Sequence, residues 1–246
     1  MRNEFFFLEY EISQIQKYLK FNNSAMKNYQ GTFAQGVSDK SKDMPKSQKE
    51  AFLSYYADEL SNMHFAHPSM FFSSFVVTWF SFVEVNLLEI CKRLDLKATI
   101  EVKEKIDIRE GIDRAWVFLR KGAEYDFEKD VWDEIIFIRK MRNIIVHNHG
   151  RIDYSNSKPE KKFENNFVKL KPFGDEIIYV QIDKNLFDYL KSYNLYDVFE
   201  YFEIHPSREY CQHLVDLAKE LFNDLDKKLP HEKDEQKQAN IMHNGL

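Results

Sequence analysis

The sequence predicts a mainly α-helical fold, a helical bundle interrupted by one small β-hairpin. Three observations carry this. Apolar residues recur at helical spacing along most of the chain. Glycine and proline, 7 and 6 of 246 residues, stand at about half their usual share, so few turns interrupt it. Only one pair of short segments alternates as paired strands do. The 22 Phe and 13 Tyr supply enough bulky apolar surface for a sizeable core despite 30% charged residues. A globally disordered chain and a collagen-like or Gly/Ser-linker architecture are excluded.

At the start, Phe5, Leu8, Ile12, Ile15 and Leu19 lie at steps of three and four and predict a helix over residues 3–28. The run Phe5-Phe6-Phe7-Leu8 closes at Glu9, too short for a secretory signal. Residues 31–47 hold two of the seven glycines with Ser, Lys and Pro45, and read as a loop or mobile lid. Ser47 and Glu50 make a capping-box pattern opening a helix toward Met63. From Leu60 to Val83 there is no Asp, Glu, Lys or Arg, but His64, His67, Pro68 and several serines break the stretch. It reads as a buried helix, not a membrane span.

After Pro68 the helix runs to about Leu94, with Phe72, Phe75, Val76, Trp79, Phe80, Val83, Leu87 and Ile90 on a broad apolar surface and Ser74, Thr78 and Ser81 as a narrow small-residue stripe. Residues 97–106 read as an extended connector, and Asp107 with Glu110 as a second capping box for a helix reaching Gly122. The next helix, 128–148, ends in Asn148-His149-Gly150, where Gly supplies a left-handed stop. At about 100° per residue Val131, Ile135, Ile138 and Ile145 share one face, while Trp132, Ile136, Phe137, Met141 and Ile144 spread around the others. A helix apolar nearly all round must be enclosed, inside the fold or against a partner.

Residues 167–171 and 176–182 flank Pro172-Phe173-Gly174-Asp175 as a hairpin, so one small sheet is expected. Helices follow over 184–203 and 207–228, separated by His205-Pro206, and the polar stretch from Pro230 reads as a frayed tail. The chain thus divides into N-terminal helices and a loop over 1–64, a helical core over 65–228 and a tail over 229–246.

The net charge of -5 excludes a protein that coats nucleic acid broadly, because that affinity comes from Lys and Arg neutralising phosphates. Any such site must be local. From Ile135 to Ile152 there is no acidic residue, yet Arg139, Lys140, Arg142, His147, His149 and Arg151 all fall there. The helix macrodipole accounts for the last three. It does not account for Arg142, which lies two turns earlier on the face of Val131, Ile135 and Ile138 and there needs a partner or a function. Cys91 and Cys211 belong to no C-x-x-C pair and fit a reduced, cytoplasmic protein without zinc or disulfide framework.

The segment Arg142-Asn143-Ile144-Ile145-Val146-His147 reads R-N-x-x-x-H at the end of a helix, with a long apolar helix carrying Glu84 and Glu89 upstream. Here the chain resembles the HEPN superfamily, whose ribonuclease members carry Arg, often a polar residue next, and His four to six residues after the Arg. The resemblance covers about 65–228 and says little of residues 1–64. It implies a HEPN-like helical bundle, a homodimer with a composite site, and a metal-independent endoribonuclease yielding a 2′,3′-cyclic phosphate and a 5′-hydroxyl. It further implies a prokaryotic toxin or phage-defence effector, with a restraining antitoxin partner or a trigger.

The residue types suit that chemistry. RNA carries its own nucleophile, the 2′-hydroxyl, so the protein must supply a proton acceptor and cationic donors. An imidazole such as that of His147 accepts or donates a proton at neutral pH. Arg142 can fork onto non-bridging phosphate oxygens, and Asn143 can position phosphate or a catalytic side chain. Arg and His five positions apart lie about 140° apart around a helix, so a single helix does not aim both at one point unless the long Arg reaches around, and two chains meeting about a two-fold axis can bring two copies of each to one groove.

Arg139, Lys140, Asn148, His149 and Arg151 are candidates for substrate binding, although Asn148 and His149 also suit a helix cap. Glu84 or Glu89 is a candidate for holding Arg142 in place, although glutamates on a long helix also suit its solvated face. His147 and His149 lack a third ligand at metal-binding spacing, so no metal or cofactor is expected. The alternative is a non-catalytic HEPN-like module that binds nucleotide or RNA or mediates assembly, with Arg142 as an interface ion-pair residue. A third reading is a helical scaffold whose basic segment only caps a helix. The joint presence of Arg142, Asn143 and His147 favours the enzyme, because a binding module has no need of a titratable His at that spacing.

Overall fold

The computed structural model describes residues 2–94, 111–161, 166–172 and 174–229. It is mainly α-helical with small β elements. In chain order these are α1 (Arg2–Ser41), α2 (Lys46–Ser61), a π-helical turn (Asn62–Ala66), α3 (His67–Arg93), α4 (Ile112–Gly122), α5 (Lys129–Asn148), β1 (Arg151–Ile152), β2 (Tyr154–Ser155), β3 (Phe167–Leu170), β4 (Ile178–Gln181), α6 (Lys184–Ser192), β5 (Tyr196–Val198), β6 (Phe202–Ile204) and α7 (Arg208–Lys228). The expected connector at 97–106, the capping box at Asp107 and Glu110, the turn residue Phe173 and the tail from Pro230 lie outside the described residues.

The chain forms two compact units. One comprises Met1–Gln16, Trp79–Ile136 and His213–Leu246, the other Lys17–Thr78 and Phe137–Gln212. The helices α1, α3, α5 and α7 each contribute a part to both.

In the first unit, Val83, Leu87 and Cys91 of α3, Ala115 and Leu119 of α4, Ile135 of α5 and Leu214, Val215, Leu221 and Leu225 of α7 are buried. Burial pushes the Cys91 thiol up to about 12, which makes it an inert packing residue. Trp116 stacks on Trp132 with ring centroids 6.1 Å apart. The N-terminus of α4 is capped from a distance, since the Ile112 amide donates to Glu84 Oε1 at 3.1 Å. His213 Nε2 lies 2.7 Å from Glu134 Oε1, joining α7 to α5.

All strands among the described residues fall in the second unit. They make two three-stranded sheets, ordered β1-β6-β5 and β2-β4-β3, where the sequence predicts one hairpin. The predicted hairpin is present: β3 pairs antiparallel with β4 from Phe167 opposite Gln181 to Leu170 opposite Ile178. The strands that went unpredicted have two or three residues each, too few to show a period. The helix predicted over 184–203 stops at Ser192. Asn194 takes a left-handed φ of 54° and the Leu195 amide folds back to the Leu190 carbonyl at 2.9 Å, a helix stop made without glycine. The residues that follow pair as β5 and β6, with Tyr196 stacked on Phe202 at 4.8 Å.

The segment 31–47, expected as a loop, is helical through Ser41. Met26, Gln30, Phe33, Val37 and Ser41 carry the inward stripe past both glycines. The ring of Phe33 meets Tyr56 of α2 edge-on at 5.9 Å. Gly31 and Gly36 cost about 1 kcal/mol each relative to alanine, and packing of that stripe overrides them. The capping box at Ser47 and Glu50 is not formed: α2 begins at Lys46, behind Pro45, with no side-chain cap.

The helix continues without a break from Lys46 to Arg93 and contains a window long and apolar enough to cross a membrane, a test that buried core helices also pass. Phe75, Val76, Trp79 and Val83 within it are buried, while Ser74 and Thr78 of the small-residue stripe are exposed. The π turn ahead of Pro68 has a physical cause. Proline cannot donate the next backbone bond, and the His67 amide reaches back five residues to Asn62. The Met63 carbonyl is left without a helical donor and instead accepts from Gln30 Nε2 of α1 at 2.6 Å.

Candidate active site

The last three turns of α5 hold Arg139, Lys140, Arg142, Asn143, His147 and Asn148, all in the second unit, with His149 and Arg151 just beyond them, while Glu84 lies on α3 in the first unit. The helix is enclosed as expected only in its middle. Ile138 and Met141 are fully buried, but Ile144 and Ile145 are half-buried and Val146 is 42% exposed. The helix therefore leaves the core as it approaches its C-terminus.

Arg142 sits at that transition, half-buried. Its Nη1 donates to Asn143 Oδ1 at 3.0 Å, while its Nε is buried with no hydrogen-bond partner among the described residues. A buried guanidinium donor left unmatched costs about 1–3 kcal/mol and is a reservoir that a ligand can discharge. Asn143 is exposed beside it, and His147, Asn148 and His149 are exposed on the final turn. On an α-helix Arg142 and His147 stand about 7.5 Å apart along the axis and about 140° around it. Asn143 is thus joined to Arg142 by a hydrogen bond, and His147 is not brought into that bond.

The helix stop is wider than expected. His149 as well as Gly150 has positive φ, 53° and 81°, and the Gly150 amide bonds back to the Ile144 carbonyl at 3.2 Å. Gly150 also accepts from the Ile204 amide at 2.9 Å, and a Cβ there would meet the Ile204 carbonyl at 3.3 Å. Both the φ and the close approach of β6 require glycine.

The remaining basic residues divide by their partners. Lys140 Nζ lies 3.3 Å from Asp183 Oδ2, and Asp183 also caps α6 by accepting from the Leu186 amide at 2.9 Å. That backbone bond, with help from Lys140, holds the Asp183 carboxyl below its ordinary value. Arg151 pairs with Glu203 at 3.4 Å and covers the Tyr201 ring at 5.2 Å. Arg139 is half-buried on the same helix. Glu84, the candidate for holding Arg142, is engaged with the Ile112 amide.

His205 drew no functional weight in the sequence, and nothing there could have singled it out. Its Nδ1 lies 2.8 Å from Ser69 Oγ and its Nε2 3.8 Å from Glu203 Oε2. It lines both a cleft of about 860 Å³ with Lys27, His64, Phe65, Asp197, Arg208 and Glu209, and a second of about 460 Å³ with Arg151, Tyr201 and Glu203. Among the described residues no group of three His, Cys, Asp or Glu is placed to hold a metal ion.

No protein-family model matches the chain, and no curated protein or solved structure does.

Proposed function

We propose that the protein is a HEPN-type endoribonuclease that cleaves RNA without a metal, as a homodimer. The observation that carries the reading is Arg142: a half-buried guanidinium with an unmatched Nε, bonded to Asn143, one turn and a half ahead of an exposed His147. A phosphate supplies the acceptors such a group lacks.

In the reaction the 2′-oxygen attacks the adjacent phosphorus while its proton passes to an imidazole. The P–O5′ bond breaks and the leaving 5′-oxygen takes a proton, giving a 2′,3′-cyclic phosphate and a 5′-hydroxyl. Arg142 stabilises charge on the non-bridging oxygens, Asn143 fixes the guanidinium, and His147 is the proton carrier. Because Arg142 and His147 of one helix diverge, a two-fold arrangement supplies the groove in which two copies of each meet. Partly exposed Ile144, Ile145 and Val146 are the apolar surface available to that contact. The biological role that goes with this reading is a cytoplasmic toxin or anti-phage effector under the control of an antitoxin or trigger.

The test is incubation of the purified protein with single-stranded RNA in EDTA, with the new 3′ ends analysed for cyclic phosphate. Cleavage is expected from the wild type and is abolished in Arg142→Ala and His147→Ala, each still a folded dimer by sedimentation. Undiminished cutting by both variants overturns the site. Failure of the wild type to cut any RNA favours the non-catalytic binding module. Expression harmful to cells and relieved by His147→Ala supports the effector role.

A further inference from the structure

The N-terminal helix carries a feature that the proposed chemistry does not use. From Ile12 to Ser38 it holds no acidic residue, in a chain with 40 of them, and the charged residues in that stretch are Lys17, Lys20 and Lys27. All three are exposed. Beside them stand large aromatic side chains in solvent: Tyr18 is 51%, Phe21 73% and Tyr29 56% exposed. At 100° per residue these six positions fall on one arc of about 200°, with the buried Leu19 and Val37 on the opposite side. The arc is completed by Ser24, Ala25 and Asn28, which are also exposed.

A row of lysines next to a row of exposed rings is what a single strand of nucleic acid requires. Ammonium groups neutralise successive phosphates, and rings stack on bases whatever their identity. The same combination also suits an anionic membrane surface. The outward residues argue against that, since the face offers no exposed Leu, Ile, Val or Trp to enter acyl chains, and two of its three rings carry a hydroxyl.

The face also leads toward the candidate site. Asn23 and Lys27 line the 860 Å³ cleft with His64, Arg208, His205 and Phe65, the last 74% exposed. Asp197 and Glu209 line it too, so the cleft is mixed in charge and the α1 face supplies the uniformly basic part. Through His205 and Asp197 the cleft is shared with the one lined by Arg151, three residues beyond Asn148 at the end of α5.

We infer that the exposed face of α1 from Lys17 to Tyr29 is a binding platform for single-stranded RNA that feeds the substrate toward the end of α5. This deepens the ribonuclease reading and rests on it for the destination of the strand, though not for the binding itself.

The experiment uses the full chain carrying His147→Ala, so that RNA stays intact, and measures binding of a fluorescent single-stranded 20-nucleotide RNA by anisotropy from 50 to 200 mM salt. Replacing Lys17, Lys20 and Lys27 together by Gln is expected to weaken binding at least tenfold and to lower the slope of log affinity against log salt by about 2, three phosphates at about 0.7 each. Replacement of the three by Arg restores both. Phe21→Ala and Tyr29→Ala each weaken binding about fivefold or more without changing the salt slope. Unchanged affinity in the Gln variant overturns the platform. So does loss of binding to phosphatidylserine-containing vesicles with RNA affinity intact, which assigns the face to a membrane. Cleavage is read separately in chains with His147 restored. RNA bound by the wild type and never cut refutes the ribonuclease and leaves the platform standing. RNA cut with an unchanged KM by the Gln variant refutes the platform and leaves the ribonuclease.

Discussion

The guanidinium of Arg142 is held by the side chain of its own neighbour, Asn143, at 3.0 Å, while its Nε is buried and has no hydrogen-bond partner among the described residues. A residue so placed costs stability in the free protein. Arg142→Met, which keeps the aliphatic stem and removes the unmatched donor, is expected to abolish RNA cleavage while raising unfolding free energy by about 1 kcal/mol in urea. A fall in stability would show that Arg142 is a structural residue.

Glu84 caps α4 through the Ile112 amide, where the sequence suggested a hold on Arg142. Glu84→Ala is expected to cost about 1 kcal/mol, the usual effect of losing a helix cap, with cleavage retained by the folded fraction. Loss of cleavage without loss of stability would restore the link to Arg142.

Gly150 combines a φ of 81° with the Ile204 carbonyl at 3.3 Å from its would-be Cβ. Gly150→Ala should cost about 1–3 kcal/mol. In contrast, Gly31 has open space around its would-be Cβ and lies within α1, so Gly31→Ala should add about 0.4–1 kcal/mol. Chemical denaturation of the two variants should move in opposite directions.

His213 is held above its ordinary value of 6.5, chiefly by its hydrogen bond to Glu134 and against the pull of burial. A raised folded value means that the pair's contribution is fully present below the unfolded value and is lost as pH rises through the folded one. Wild type should therefore lose stability as pH rises above the ordinary histidine value of 6.5, relative to Glu134→Gln, whose profile is flatter there. Parallel profiles would show that the contact contributes nothing.

Much of the helical layout could be read from periodicity, because long helices repeat their inward positions many times. The span of α5, with Ile135, Ile138 and Met141 inside, is the clearest case. What could not be read depended on distant contacts. Gly31 and Gly36 signal a turn locally, and only the packing of Phe33 on Tyr56 shows why the helix runs on. Strands as short as Arg151–Ile152 exist because β6 lies beside them. At the site, residue types picked out Arg142, Asn143 and His147. Nothing in the order of residues could tell that Lys140 and Arg151 spend their charge on Asp183 and Glu203, or that Glu84 serves another helix.

The Met63 carbonyl, orphaned by Pro68, is satisfied across the fold by Gln30. Gln30→Ala should cost about 1–2 kcal/mol, measured by thermal or urea unfolding, because Met63 lies in the interior and water does not replace the lost donor.

That turn also makes chain length a counted quantity. The π-helical residues Asn62–Ala66 contain one residue more than an α-helical path of the same rise, which offsets the faces of α2 and α3 by about 100°. Many substitutions at the outward positions 64–66 would leave that offset alone. Deletion of any one of them would swing Phe52 and Tyr56 off the face they share with Phe33, so the length of this stretch is constrained by packing independently of what its side chains contact.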